Sequence, residues 1–267
     1  MLNAMRGLDK EIYLLIEKRK YFVIHAARQS GKTTLLQALA MQIGAAGDYY
    51  ALYCSLENIE GLADASIGIP AIVNTLKSSL INYSLPGASS FATNVNLSDP
   101  FNALQTALVA YCRSLDKPLV LLFDEADCLV GATLIAFLRQ LRNGYVNRAY
   151  VPFVHSLALV GMRNICDSRN EYRDPSQALG TASPFNIVAE TMTISNFTRE
   201  EVAGLYAQHT EDTGQVFERG AVDTAWEQTQ GQPWLVNATA RIIVEKITAG
   251  APRHRLLSKW FRKQYRC

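Results

Sequence analysis

Apolar residues gather in five short runs, Tyr21–Ala26, Tyr50–Leu56, Pro118–Phe123, Ser156–Gly161 and Ile187–Ile194. Runs this short and this continuous suit strands covered on both faces, because neither side of the pleat then meets water. Between several of them the apolar period lengthens to that of a helix. After the first run, Leu35, Leu36, Leu39, Ala40 and Ile43 form one stripe, with Gly44 as the expected C-cap. Further helices are expected near residues 101–115 and 131–145. Strands alternating with helices predict an α/β fold with a parallel sheet, since a parallel crossover needs a helix-length connection.

The pattern changes at Ser195. Thr198-Arg-Glu-Glu201 has the form of a capping box, after which Val202, Leu205, Tyr206 and His209 share one helical face. Helices near 218–229 and 233–248 follow, the second with Pro233 in its first turn, where a missing N–H costs nothing. The chain therefore divides into an α/β core over 1–194 and a small all-helical subdomain over 195–267. Leu85–Pro100, rich in Ser, Asn, Gly and Pro, reads as a surface loop or lid, and Asn164–Pro184 as a second loop.

Composition keeps the chain among globular proteins: 49% of its 267 residues are hydrophobic and 19% charged. No apolar run approaches the length of a membrane span, and the N-terminus has no apolar segment before a cleavage site. A cytoplasmic protein without a membrane partner is the expectation. The five cysteines form no C-x-x-C pair and the four histidines show no ligand spacing, so reduced structural thiols are expected and no metal site built from them. The net charge of +2 is unevenly spread. Residues 253–267 hold six Lys or Arg and no acid, which leaves residues 1–252 at −4. That tail, with Trp260, Phe261 and Tyr265 interleaved, reads first as a solvated end and second as a nucleic-acid patch.

The chemistry concentrates after the first apolar run. Ala26-Ala27-Arg28-Gln29-Ser30-Gly31-Lys32-Thr33 fits A-x-x-x-x-G-K-T between a strand and a helix. A phosphate held there needs inward-turned backbone N–H groups, a helix N-terminus and a lysine reaching the β- and γ-oxygens. Ala27, Arg28, Gln29, Ser30, Gly31, Lys32, Thr33 and Thr34 are the candidate nucleotide contacts. A magnesium ion beside the phosphates needs a carboxylate at the end of a neighbouring strand, and Leu119-Val-Leu-Leu-Phe123 runs straight into Asp124-Glu125. Asp124 with Thr33 would hold Mg²⁺, and Glu125 would polarise the attacking water. Strand Ser156–Gly161 leads into Met162-Arg163-Asn164, where Arg163 or Asn164 is placed to sense a γ-phosphate. In the helical part, Gly231-Gln232-Pro233-Trp234 opens a helix with a rigid proline that could lie over a base. His25 reads as a packed strand residue.

With the A-x-x-x-x-G-K-T loop, the LLFDE strand end, the VGMRN strand end and the GQPW helix start in this order, the chain resembles AAA-like P-loop ATPases. Within them it is similar to the prokaryotic ATP-binding proteins grouped with initiator-type and STAND ATPases. FLRQLRNGYVNR, SPFNI, REEVAGLYAQHTEDTGQVF and QGQPWLVNATA carry the similarity over most of residues 1–248. The resemblance implies an ASCE-type five-stranded parallel sheet in which the Walker A strand lies next to the Asp124 and sensor strands, capped by a helical lid. It implies ATP and Mg²⁺ as cofactors, Lys32 and Thr33 as nucleotide ligands, Asp124 for the metal, Glu125 as base, Arg163 as sensor and Pro233 as the lid contact to the base. Three departures stand out. No arginine finger is evident beyond Arg169 and Arg173, which would act across a subunit interface. No sensor arginine opens the GQPW helix, Arg241 lying two turns along it. The ending RHRLLSKWFRKQYRC does not resemble the family's continuation and reads as a truncated or frame-shifted lid. The expected function is Mg-dependent ATP hydrolysis, slow in the isolated chain, coupled to an unknown protein or nucleic-acid partner. The alternative is a nucleotide-gated binding module with little hydrolysis. A small-molecule kinase fits less well, because the adjacent Asp-Glu pair serves water better than a substrate hydroxyl.

Overall fold

All five apolar runs become strands in the computed structural model, which describes residues 9–161, 187–217 and 219–247. The strands are β1 (Tyr21–Ala26), β2 (Tyr50–Ser55), β3 (Leu119–Asp124), β4 (Ser156–Gly161) and β5 (Val188–Ile194). They form one sheet in the order β2-β3-β4-β1-β5. β2 pairs with β3, β3 with β4, and β4 with β1, all parallel. Every residue of β3 and β4 is buried, as inner strands with both faces covered must be. One expectation is corrected here. The strand ending in Asp124 is not a neighbour of β1, because β4 runs between them.

The flanking helices are α1 (Asp9–Glu17), α2 (Lys32–Ala46), α3 (Ala65–Asn82), α4 (Ala103–Ser114) and α5 (Gly131–Asn147). α2 buries the expected stripe of Leu35, Leu36, Leu39, Ala40 and Ile43. It does not stop at Gly44, however. The helix continues to Ala46, and Gly47 takes the left-handed turn with φ 85°. On α5, Phe137 packs edge-on against Phe123 of β3 with ring centroids 5.4 Å apart.

Leu85–Pro100 is pinned rather than free. Phe91 is buried, and Leu85, Ala92, Val95 and Leu97 pack on the core around it. The buried Gln140 of α5 holds the segment's end, donating to the Pro100 carbonyl at 3.0 Å while accepting from the Gln105 amide at 3.1 Å. Cys54, Cys112 and Cys128 are free thiols, and burial pushes Cys54 up to about 11.

The described residues divide into two compact units, 9–26 with 32–193 and 27–31 with 194–247. The smaller contains α6 (Arg199–Thr213), α7 (Arg219–Thr229) and α8 (Pro233–Ile247). Thr198 and Glu201 form the capping box of α6 reciprocally, and Gly214 ends that helix at φ 74°. Val202, Tyr206, Phe217, Ala221, Ala225, Val236 and Ile243 make its core. Gly231 precedes α8 at φ 70°, and a Cβ there would fall on the Phe197 carbonyl, so the backbone approach itself requires glycine. Among the described residues no helix is long and apolar enough to cross a membrane.

Candidate functional site

The C-terminal end of β3 and the start of α2 bring four predicted side chains together. Lys32 is 7% exposed, and its Nζ donates to Glu125 Oε1 at 2.8 Å. Thr33 Oγ1 donates to Asp124 Oδ2 at 2.7 Å. The partners in these two bonds lie 93 and 91 residues apart in the chain, so the fold and not local sequence makes the cluster. Asp124 is 1% exposed, and a carboxylate so buried needs donors around it. Besides Thr33 it accepts the Glu125 amide on Oδ1 at 3.0 Å and the Tyr53 hydroxyl on Oδ2 at 3.1 Å.

Glu125 has φ 54°, a left-handed conformation that a non-glycine residue adopts only under constraint from its surroundings. That turn aims consecutive carboxylates in different directions, Asp124 inward to Thr33 and Glu125 to Lys32. At the end of β4, Gly161 leaves room for the Asp127 side chain, which occupies the space a Cβ would take.

The loop Ala27–Gly31 lies in the smaller unit by its contacts. Gln29 and Gly31 both take positive φ, 59° and 83°, and Ser30 is buried with its amide on the Ala27 carbonyl at 3.3 Å. Within the same unit, Gln232 Nε2 donates to the Gln29 carbonyl at 3.4 Å. Ala27, Arg28 and Gln29 are exposed, as are Thr33 and Thr34. Pro233 is buried at the first position of α8, and Arg241 is exposed and bonded to Glu245 at 2.7 Å. Arg163 and Asn164, together with Arg169, Arg173 and the 253–267 tail, lie outside the described residues.

Tyr53 escaped sequence reading. A tyrosine in an apolar run is an ordinary strand former, and only the pairing of β2 with β3, which sets Ser55 beside Asp124, shows that its hydroxyl can reach the carboxylate. Burial first, and then the charge of Asp124, raise the Tyr53 pKa well above the ordinary range, so the phenol is a donor at neutral pH. The same ring borders a cleft of 670 Å³ between β2 and α3.

No protein-family model matches the chain, and no curated protein does. Solved structures do. The RuvB Holliday junction branch migration motor of Thermotoga maritima aligns over 96% of this chain and 67% of its own, at 14% identity and TM-score 0.53. Cdc6p of Pyrobaculum aerophilum aligns over 96% and 65%, at 13% identity and TM-score 0.63. A Walker-type ATPase of Pyrococcus abyssi aligns over 87% and 65%, at 15% identity and TM-score 0.58.

The chain has a P-loop ATPase fold. It spans about two thirds of the length of these structures. Lys32 and Thr33 open α2, after β1, and Asp124 and Glu125 stand at the C-terminal end of β3. The donors also suit the implied metal: a hydroxyl and a carboxylate side by side are the hard oxygen ligands magnesium takes.

Proposed function

We propose that the chain binds ATP with Mg²⁺ at the Lys32–Thr33–Asp124–Glu125 cluster and hydrolyses it, serving as a conformational switch or motor for a protein or nucleic-acid partner. The observation that carries this reading is the paired contact of Lys32 with Glu125 and Thr33 with Asp124. It unites a phosphate-seeking cation, a metal-binding hydroxyl and carboxylate, and a second carboxylate free of Asp124's hydrogen bonds. The amides of residues 27–34 are the proposed cradle for the β-phosphate, and Arg163 the proposed γ-phosphate sensor. Bound magnesium would supply charge neutralisation at the phosphate oxygens.

Lys32 and Glu125 neutralise each other in this arrangement. When Lys32 turns to a phosphate, Glu125 Oε1 is released to accept a proton from water. The pair thus links occupancy to the readiness of the base, which gives the switch a physical form. Glu125→Gln keeps the shape but removes the proton acceptor. Phosphate release should fall by about a hundredfold or more while ATP is still retained, and equal release by wild type and variant would remove Glu125 from the assigned role. Chelating the metal should stop turnover in both.

The same ion pair favours a second reading, in which nucleotide is bound and signalled but seldom hydrolysed. Wild-type phosphate release no faster than that of Glu125→Gln, with tight ATP binding, is its signature.

A further inference from the structure

The geometry points to a phosphodiester-binding site at the opposite end of the sheet, through which the protein holds the backbone of a nucleic acid. A pocket of 310 Å³ is lined there by Arg19, Lys117 and Arg148, with His155 and Asp116. Arg19 lies two residues before β1, Lys117 two before β3, and His155 immediately before β4. All three therefore mark the N-terminal ends of strands whose C-terminal ends carry the proposed ATP cluster.

Arg19, Lys117 and Arg148 all line this pocket, Lys117 Nζ lying 5.8 Å from the Tyr50 ring centroid, and among the described residues none of them has a carboxylate ion-pair partner. The one acid in the lining, Asp116, accepts the Tyr50 hydroxyl at 2.9 Å. Arg148 is already oriented. Its guanidinium lies 3.8 Å from the centroid of the Tyr145 ring, and Nη1 donates to the Arg19 carbonyl at 2.6 Å. Fixing the plane this way leaves further N–H groups of the fork for an anion and spares much of the ordering entropy. The crowding of charge is felt by His155, whose pKa is lowered by burial first and then by Arg19 and Arg148.

Arg19 stands where a helix end favours glycine. The Lys20 amide bonds the Leu15 carbonyl and the Arg19 amide that of Ile16, both at 2.9 Å, a Schellman closure that puts Arg19 at φ 54°. An arginine held in a left-handed conformation costs stability that glycine would not. Arg19 is exposed and is one of the residues that line the pocket.

The pocket is larger than a lone phosphate group, and charge extends beyond it. Lys18 and Lys20 flank Arg19 in sequence, and Arg113 lies in the last turn of α4, the helix leading to Lys117. Tyr150, after α5, is 89% exposed and offers a face for stacking. Further cations next to the pocket residues in sequence, with an exposed aromatic two residues after Arg148, fit a polyphosphate chain carrying bases better than a lone anion.

The test uses the full chain without nucleotide and with EDTA, so that it does not depend on the ATP site. Binding of labelled single- and double-stranded DNA is followed by anisotropy across a salt series. The combined variant Arg19→Gln, Lys117→Gln, Arg148→Gln should lose about tenfold or more in affinity at low salt, and its log-log salt slope should be shallower by about two to three. Lys10→Gln should change neither. Arg19→Gly alone should weaken binding while raising Tm by about 2 °C, a combination that a purely structural arginine would not give. Unchanged affinity and slope in the combined variant overturn the site. So does wild type binding no nucleic acid, or binding only phosphatidylserine vesicles through these residues.

Discussion

Three donors converge on the buried carboxylate of Asp124, from Thr33, from the Glu125 amide and from Tyr53. The first two belong to sequence motifs, and the third comes from the edge strand. A carboxylate has about four acceptor positions, so these bonds fix its rotation and leave one for the water shell of the proposed metal. Tyr53→Phe keeps the ring and removes one constraint. The Mg²⁺ concentration giving half-maximal phosphate release should rise about fivefold, a modest share of what a hydrogen bond to a charged group contributes. An unchanged Mg²⁺ requirement would show that the phenol only packs. The pH sign follows from the raised Tyr53 pKa. A phenol stabilised in its neutral form contributes stability fully present below the unfolded-state tyrosine pKa of about 10. That contribution is lost as pH rises toward the still higher folded value. Thermal melts of wild type and Tyr53→Phe should therefore differ most below pH 10 and converge above it. Lys32, Thr33, Asp124 and Glu125 were legible because each sits in a motif whose spacing has a chemical reason. Tyr53 was not, because its role arises from strand register, which a single sequence does not display.

At the scale of elements, the strands were readable for a simple reason: burial on both faces leaves a continuous apolar run with little ambiguity. α3 was not read. Gly68 and Pro70 lie inside it and look like helix breakers, yet a Cβ at Gly68 would collide with Thr133 of α5, so close packing of two helices demands the residue that hides one of them. Leu85–Pro100 is the loop that its composition predicts, but that composition conceals Phe91 as an anchor. Glycine positions test this packing. At Gly144 of α5 a Cβ would enter the Phe153 ring, and Gly144→Ala should cost about 1–3 kcal/mol in urea unfolding as the ring is displaced. Gly231→Ala meets a backbone carbonyl and a positive φ together, and neither can yield by rotating a side chain. It should destabilise the helical unit more than Gly144→Ala destabilises the sheet, read by hydrogen exchange of α6–α8 against β1–β4. Equal protection in the Gly231 variant would contradict the close approach to Phe197.

Taken as a whole, the molecule places opposite chemistries at the two ends of one parallel sheet. The carboxylates of the proposed ATP site stand at a strand C-terminus and its lysine opens α2, while Arg19 and Lys117, with Arg148, line the pocket by the strand N-termini and among the described residues have no carboxylate ion-pair partner. The sheet order itself, with β4 between β1 and β3, sets the spacing between the C-terminal ends of β1 and β3. Sequence spacing could propose that Lys32 and Glu125 meet, since strand ends in a parallel sheet share one edge. It could not show the direct ion pair, which depends on the left-handed turn at Glu125. The most direct measurement is calorimetry of ATP with Mg²⁺ on wild type and Lys32→Ala. Saturable one-to-one binding by wild type, weakened at least about tenfold by the substitution, is the predicted result. No binding by wild type, or the same affinity without Lys32, would contradict the account.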